Sequence, residues 1–399
     1  MDPAVVRRLV GDEGAAALAT AAAQPDVDSL AAATRLRRDH DPELAAAALQ
    51  QVALRRRART KFGEVADDLF LTADGLEQAS RPVVSQWRAA RFAERGVTRV
   101  VDLGCGIGAD ALAMARAGLE VVAVELDPAT AGIARANLSP YGVEVLVGDA
   151  VELAADLLGP GVGVFCDPAR RTERGRTWRV DAFRPPYDFV TGLLPGRVGC
   201  LKFGPGLPYE LVPAGTDTTW LSVAGDVVEA SVWSPDGTQE WVGESGDRRA
   251  ALLLPGGDEI VVGPEPAAVG PLARFLVEPD GAVIRAGAVD TLAVRLAAHR
   301  LDPQIAYLTT DEPPDTPYGV GFEMVESFPW KEKVLRAWVR DHEIGTLEIK
   351  KRGIEVDPAT LRKRLHLKGS GSATIVITPS LEGARVLVVR RLEVPSRVV

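Results

Sequence analysis

A doubly wound, parallel α/β sheet, preceded by a helical N-terminal domain and followed by a small C-terminal α/β module, is the fold that the sequence predicts. Three observations predict it. Short Val-rich runs alternate with helical or turn segments from residue 97 onward, the rhythm of strands buried on both faces. A glycine-rich turn, Gly104-Cys105-Gly106-Ile107-Gly108-Ala109, directly follows the first run. Acidic residues then stand at the carboxyl ends of four successive runs: Asp102, Glu125, Asp149 and Asp167.

Residues 4–92 are rich in Ala, Leu and Arg, lack alternation, and read as several helices broken at Gln24-Pro25-Asp26 and Asp41-Pro42-Glu43. They define an N-terminal helical domain over residues 1–94. Strands are expected at 99–103, 120–124, 143–147 and 162–166, the start of a Rossmann-like domain over residues 95–310. Runs at 199–203, 226–233 and 250–254 could complete its sheet. Within 255–317, hard to assign from sequence, a hairpin is expected around 277–283, a helix near 289–298 and an exposed loop or linker at 311–317. The remainder, 318–395, reads as strand 322–327, helix 331–340, strand 346–351, helix 358–367 and strands 373–379 and 384–392. Asp357-Pro358 supplies an N-cap and a first-turn proline for the second of those helices.

The chain has 399 residues, 46% of them apolar, enough for one large domain and one or two smaller ones, each with its own core. The N-terminus carries Asp2, Asp12 and Glu13 rather than a basic segment ahead of an apolar run, so no secretory signal is expected. No stretch approaches the roughly 18 apolar residues that span a bilayer. Cys105, Cys166 and Cys200 are too few for a disulfide framework and lack the spacing of a zinc site, so no metal and a cytoplasmic location are expected. None of His40, His299, His342 and His366 has a partner spacing that suggests metal or base work.

The glycine turn lets backbone N–H groups approach a ligand, and the following helix N-terminus favours negative charge. By itself it also satisfies the looser dinucleotide fingerprint of a dehydrogenase. Asp102 separates the two. Two residues ahead of the first glycine, a carboxylate repels a pyrophosphate and attracts an ammonium or a sulfonium. Glu125, 23 residues further on, is placed to accept from both hydroxyls of a ribose. Asp149, in Val147-Gly148-Asp149-Ala150, can accept from an exocyclic amine. The competing role for any one of these acids is a helix N-cap or a loop salt bridge.

At Val100-Val101-Asp102-Leu103-Gly104-Cys105-Gly106-Ile107-Gly108 and Val124-Glu125-Leu126-Asp127-Pro128, the sequence resembles the first and second motifs of the class I S-adenosylmethionine-dependent methyltransferases. The resemblance covers residues 97–205. It implies that S-adenosylmethionine is the cofactor, that Gly104, Gly106, Ile107 and Gly108 cradle its methionine part beside Asp102, that Glu125 holds the ribose, that Leu126 packs on the adenine, and that Asp149 and Ala150 meet the adenine edge. Lys61-Phe62, Thr72, Gly75-Leu76-Glu77-Gln78-Ala79-Ser80-Arg81, Asp167-Pro168-Ala169-Arg170-Arg171, Lys202-Phe203-Gly204-Pro205-Gly206 and the C-terminal module resemble, more narrowly, bacterial methyltransferases with a THUMP-like domain. For Glu77, Gln78 and Arg81 helix surface or interdomain packing competes with a role in roofing the site.

Methyl transfer needs an acceptor aligned in a dry cleft and, where the acceptor is protonated, removal of a proton. Asp167, Pro168 and Arg170, ending the fourth strand, are the expected catalytic group. Amine methylases carry Pro and then an aromatic where this chain has Ala169 and Arg170, a departure that argues against adenine N6 as acceptor. Asp-Pro-Pro-Arg of the RNA 5-methyluridine enzymes is closer, but those need a cysteine nucleophile, and Cys200 reads as a buried strand residue. Arg170, Arg171, Arg174 and Arg176 could meet a phosphate, with a solvated loop as the alternative, and Lys202 could shape the cleft.

The net charge of −9 argues against a general polyanion binder, yet it is segregated. Between Lys331 and Lys368 eleven Lys and Arg face six Asp and Glu, a surplus of five positive charges. Lys350-Lys351-Arg352 ends a strand and Arg362-Lys363-Arg364 lies on the following helix, so both could meet one phosphate backbone. THUMP-like modules imply RNA, and Arg55-Arg56-Arg57, Arg59 and Lys61 could extend the footprint. The expected activity is methylation of a base in structured RNA, tRNA or rRNA. The alternatives are a small-molecule or protein methyltransferase, and a non-catalytic RNA-binding protein that retains the cofactor fold.

Overall fold

The computed structural model describes residues 1–170, 178–235 and 247–393. The chain folds as two compact units, Met1–Asp217 with Ser231–Gln239, and Thr218–Ala230 with Glu240–Val399.

The first unit opens with helices α1 (Pro3–Leu9), α2 (Asp12–Ala22), α3 (Leu30–Leu36) and α4 (Pro42–Phe62), then α5 (Ala73–Gln78) and α6 (Pro82–Glu94). The expected breaks are where the physics puts them. Asp41 caps α4 by accepting from the N–H groups of Glu43 and Leu44, with Pro42 at its first position. Leu9, Leu18, Leu36 and Leu44 make a small helical core. A Cβ on Gly132 would lie 2.9 Å from Val6 Cγ1, so a glycine in the eighth helix lets α1 approach it closely.

The strands follow with their helices: β1 (Arg99–Leu103), α7 (Ala109–Arg116), β2 (Glu120–Glu125), α8 (Pro128–Leu138), β3 (Glu144–Val147), α9 (Ala150–Leu157) and β4 (Gly163–Cys166). A two-residue pair, β5 (Ala169–Arg170) and β6 (Phe183–Arg184), precedes α10 (Tyr187–Thr191) and β7 (Gly199–Phe203). The parallel order is β7-β4-β1-β2-β3. From β1 the chain runs outward to β3, then returns to place β4 on the other side of β1. Asp102 registers with Ala123 of β2 and with Phe165 of β4. That reversal opens a crevice at the carboxyl ends of β1 and β4, where a doubly wound sheet binds its ligand. The strands are buried on both faces, which is why they read as Val-rich runs without alternation.

The second unit contains most of β8 (Asp217–Val223) and of β9 (Asp226–Trp233), then β10 (Arg248–Leu254), β11 (Asp258–Val261), β12 (Phe275–Pro279), α11 (Gly281–Ala286), α12 (Val289–Arg295), β13 (His299–Arg300) and β14 (Leu308–Thr310). The hairpin expected at 277–283 is instead a strand followed by a helix. Asp280, read as a turn residue, caps α11 by accepting from Ala282 N–H at 2.7 Å.

The last elements are β15 (Gly319–Pro329), α13 (Glu332–Asp341), β16 (Ile344–Lys351), α14 (Pro358–Leu365), β17 (Gly371–Ser380) and β18 (Gly383–Arg391). They form a sheet in the order β13-β14-β12-β15-β18-β17-β16, so three strands from the region that sequence leaves hard to assign extend the C-terminal module. Period-two alternation divides this sheet cleanly. Ile375, Ile377, Val386 and Val388 meet Leu335, Trp338, Leu361 and Leu365 of α13 and α14. Val376, Leu387 and Val389 face the other way, against Leu301, Tyr307 and Phe322.

Asn137 is one of the polar side chains that tie the helical N-terminal part of the first unit to its sheet domain. Asn137 on α8 accepts from Phe70 N–H at 2.7 Å and donates to the carbonyls of Phe70 and Ile107 at 2.9 and 2.8 Å. Asn137→Ala leaves one buried and two partly buried backbone groups without that partner, and should cost about 1 to 3 kcal/mol. Urea denaturation of the two proteins side by side checks this.

Candidate functional site

Everything at the crevice starts from the glycine turn after β1. Gly104, Gly106 and Gly108 have φ of +92°, +56° and +84°, the left-handed region that β-carbons resist. The N–H groups of Gly104 and Cys105 both donate to Val124 O at 2.9 Å, fastening the turn to β2. A Cβ on Gly104 or Gly106 would meet nothing within 4 Å, so the space against that backbone is open. The third glycine serves packing: a Cβ there would lie 2.8 Å from Leu138 Cδ1 on α8. Gly108 is also the N-cap of α7, without a side-chain cap.

Asp102 is wholly buried, and neither carboxylate oxygen has a hydrogen-bond partner. Burial pushes its carboxyl well above the ordinary range, with further upward pressure from Asp110 and Asp167, against which Arg88 acts in the other direction. Glu125 points back at the turn. Its Oε2 accepts from Gly106 N–H and its Oε1 from Asp127 N–H, both at 2.9 Å. Asp149 caps α9, its Oδ1 accepting from Val151 N–H at 2.8 Å, so the capping role weighed for these acids is real for this one. Beside these groups, at the ends of β2 and β3, three apolar side chains stand in solvent: Leu126 at 66% exposure, Val147 at 42% and Val151 at 42%. Ala150 is buried in the first turn of α9.

At the end of β4, Asp167 Oδ2 accepts from Lys202 Nζ on β7 at 2.6 Å. The same ammonium donates to Gln78 O at 3.0 Å, and Lys61 Nζ donates to Leu76 O at 2.8 Å and Glu77 O at 3.3 Å. Two lysines thus meet the last carbonyls of α5, which a helix leaves without internal partners. Burial, with Lys202 and Arg81 nearby, pushes the Lys61 ammonium down to about 8. Thr72 caps α5, and any β-carbon at Gly75 would collide with Ile107, so α5 lies directly on the glycine turn. Ser80 and the fully buried Arg88 both reach Asp110 on α7, and Arg88 stacks on Phe165. For residues 76–78 it is the backbone carbonyls that do this work, a role that side-chain identities do not announce.

Pro168 is buried, and Ala169 and Arg170 pair with Arg184 and Phe183. Arg171, Arg174 and Arg176 lie outside the described residues. An aromatic cluster that sequence reasoning missed surrounds this pair. Phe183 contacts Trp178, Tyr187 and Phe203, with ring centroids 6.5, 5.7 and 5.8 Å apart. Burial pushes the Cys105 and Cys166 thiols well above their ordinary range, and Cys200 is fully buried in β7. Among the described residues no group of His, Cys, Asp and Glu is arranged to hold a metal, and no helix is long and apolar enough to cross a membrane.

In the second unit the basic residues fall into two sets. Lys350 Nζ donates to Glu278 Oε2 at 2.8 Å and lies over Phe322, and Arg352 lies over Tyr307, on the sheet face away from the helices. Arg362, Lys363 and Arg364 are exposed in the last turn of α14, where Arg364 reaches Glu332 at 3.2 Å. Strand alternation places Lys351 on the helix side with them. The single footprint expected for all six residues is therefore divided by the sheet.

Residues 100–160 match the family described as a methyltransferase domain, 319–391 the THUMP domain-like family, and 2–58 a domain of unknown function. Over 342 residues the chain is 34% identical to an uncharacterized S-adenosylmethionine-dependent methyltransferase of Mycobacterium tuberculosis (strain ATCC 25618 / H37Rv), spanning 83% of this chain and 91% of that protein. A stretch of 111 residues, 27% of the chain, is 36% identical to 46% of a ubiquinone biosynthesis O-methyltransferase of Xanthomonas axonopodis pv. citri (strain 306). The crystal structure of a protein from Porphyromonas gingivalis W83, provisionally described as a methyltransferase, superposes with a TM-score of 0.77 over 95% of this chain and 99% of its own. At 23% identity that likeness is one of fold.

A carboxyl raised by burial stabilises the fold only while it stays protonated. Its contribution is complete below the unfolded value near 4 and is lost as pH climbs toward the folded value. Asp102→Asn should therefore melt higher than wild type, by about 3 °C or more at pH 8 in the absence of ligand, with the gap closing toward pH 4. Calorimetric scans of both proteins across that range test it, and equal melting at pH 8 refutes it.

Proposed function

Because the chain belongs to the S-adenosylmethionine-dependent methyltransferases, as 34% identity over nine-tenths of a member's length shows, we propose that its crevice transfers the methyl group of S-adenosylmethionine to a base in structured RNA. The methyl donor follows from the family. Its fit to these residues rests on three features. The two unpartnered oxygens of Asp102 suit an ammonium or sulfonium, whose charge offsets the burial of the carboxylate. The open space at Gly104 and Gly106, continued by Ile107 and Gly108, suits a chain drawn along the backbone. Leu126, with Val147 beside it, suits the apolar face of an adenine, while Glu125 accepts from the ribose hydroxyls and Asp149 and Ala150 border the ring.

When bound, the sulfonium supplies a methyl group to a lone pair of the acceptor in an in-line displacement. The protein's part is alignment and proton removal. In this reading Asp167, its carboxylate held at a fixed angle by Lys202, takes the acceptor's proton at a carboxylate oxygen. Pro168 stiffens the backbone that presents it, and Arg170 borders the acceptor.

The RNA reading is carried by the exposed basic turn of α14, Arg362, Lys363 and Arg364, within a module that matches the THUMP domain-like family. Lys351 adds to the same side. Lys350 and Arg352, set against Glu278 at 2.8 and 3.9 Å, contribute more to an ion pair that links β16 with β12 than to meeting phosphate.

Two measurements follow. Asp102→Asn should weaken binding of S-adenosylhomocysteine by about 10- to 100-fold, the worth of a charge-assisted contact, read by titration calorimetry. Changing Lys351, Arg362 and Lys363 together to Glu should weaken retention of structured RNA by at least about tenfold and flatten its salt dependence, while Lys350→Gln leaves that dependence unchanged. Tritiated methyl label that a cell extract acquires from the enzyme and keeps after RNase digestion would refute an RNA acceptor.

A further inference from the structure

A buried ion pair beside the glycine turn has no part in the donor and acceptor assignments above. Parallel register sets Ala123, Asp102, Phe165 and Cys200 side by side across β2, β1, β4 and β7, so these four side chains leave the sheet on one face. The layer over that face is otherwise apolar: Ala89 and Phe92 of α6 and Ala111 and Met114 of α7 share a core with Ala123, Phe165 and Cys200. Into it α6 sends Arg88, wholly buried, with its guanidinium 4.6 Å from the centre of the Phe165 ring. Asp110, buried in the first turn of α7, accepts from Arg88 Nη1 at Oδ1 and from the hydroxyl of Ser80 at Oδ2, the latter at 2.9 Å.

Phe165 is the strand neighbour of Asp102, and the guanidinium lies over its ring, so the pair and the unpartnered carboxylate occupy the same apolar layer. Charges interact strongly there, because little water stands between them. The other groups that bear on Asp102 are Glu125 at the end of β2, Asp167 after β4, and the thiols of Cys105 and Cys166. Asp167 has the ammonium of Lys202, and Glu125 the N–H groups of Gly106 and Asp127. Lys61, from the last turn of α4, bears on Asp110 from the far side, with Arg81 and Lys202 near it. Within the layer itself, ionised Asp102 and Asp110 set against Arg88 leave one negative charge, the complement of a single cation.

We propose that Arg88 and Asp110 are positioning residues of the donor site, a fixed pair of opposite charges that decides how readily Asp102 is ionised to meet the donor. The two members act in opposite senses. Asp110 favours the neutral carboxyl of Asp102 and Arg88 the charged one. A cation that binds only ionised Asp102 releases a proton as it enters, so its affinity falls by up to about tenfold for each pH unit below the value for the empty site. Asp110→Asn, which removes the opposing carboxylate, therefore extends binding to lower pH. Arg88→Met, which leaves Asp110 unopposed, confines it to higher pH. The inference rests on the assignment of Asp102 to the donor.

The test titrates the full chain with S-adenosylhomocysteine by calorimetry between pH 5 and 9, a probe whose own ionisation is common to every variant. The midpoint of the affinity profile should move down in Asp110→Asn and up in Arg88→Met, by about half a pH unit or more in each, equivalent to about a threefold change in affinity on the falling limb. Damage to packing alone lowers affinity by one factor at every pH and leaves the midpoint in place, and that result overturns the proposal. Asp110→Asn keeps the shape of the side chain and its acceptor for Ser80, and decides the matter by itself where Arg88→Met does not fold: a midpoint that stays or rises in it is again a refutation. Asp102→Asn separates the two layers of inference. A flat profile in that variant, with unmoved midpoints in the other two, removes the role of Arg88 and Asp110 and leaves the donor assignment intact, whereas a wild-type profile in Asp102→Asn removes the donor assignment and this proposal with it.

Discussion

A carboxylate buried without a partner governs the first unit. Asp102 sits in the second-last position of β1, where parallel neighbours on both sides supply main-chain pairing but no side-chain donor. Desolvating a charged carboxylate is costly, so without a partner the group is driven toward its neutral form, and an incoming cation would favour the charged one. The surrounding negative charges of Asp110 and Asp167 deepen the same preference for a cation. At the crevice between β1 and β4, that burial is the feature on which the proposed recognition of a positively charged donor rests.

That crevice exists only because other parts hold its walls. The glycine turn is fastened to β2 through Val124 and to Glu125, so the groups proposed for the two ends of the donor are one hydrogen bond apart. From the other side, α5 rests on Ile107 through Gly75, with its last carbonyls tied to Lys61 and to the Lys202 that also grips Asp167. Lys202 therefore joins the segment before the sheet to the acid at the end of β4. A change in one would be felt in the other. The N-terminal helices, matched to a domain of unknown function, share the unit's framework through Asn137 and Gly132.

In the second unit, charge that looks like one basic patch along the chain is two populations in space. Lys350 and Arg352 neutralise Glu278 and lie over aromatic rings, which is the behaviour of cations used for packing. The turn of α14 keeps Arg362 and Lys363 in solvent, where they are available to a polyanion. Counting charges in sequence overstates such a surface, since a β-strand sends adjacent lysines to opposite faces.

By itself the sequence determined the parallel sheet, the six elements of residues 319–391 to within three residues, and the family, because those depend on local things: runs of Val, glycines at fixed intervals, a capping Asp before a Pro. Asp102, Gly104, Gly106, Gly108, Glu125 and Asp167 were legible for the same reason, standing at strand ends that the pattern locates. The helix at 281–286 was not, since Asp280-Gly281 reads equally as a turn or as a cap until β12 and its neighbours are paired. Only the tertiary structure decided what meets across long separations: Lys202 with the carbonyl of Gln78, Asn137 with Phe70, Glu278 with Lys350, and Trp178 with Phe183 beside the end of β4. Those contacts join segments whose distance along the chain carries no periodic signal, and several use backbone carbonyls that every residue possesses.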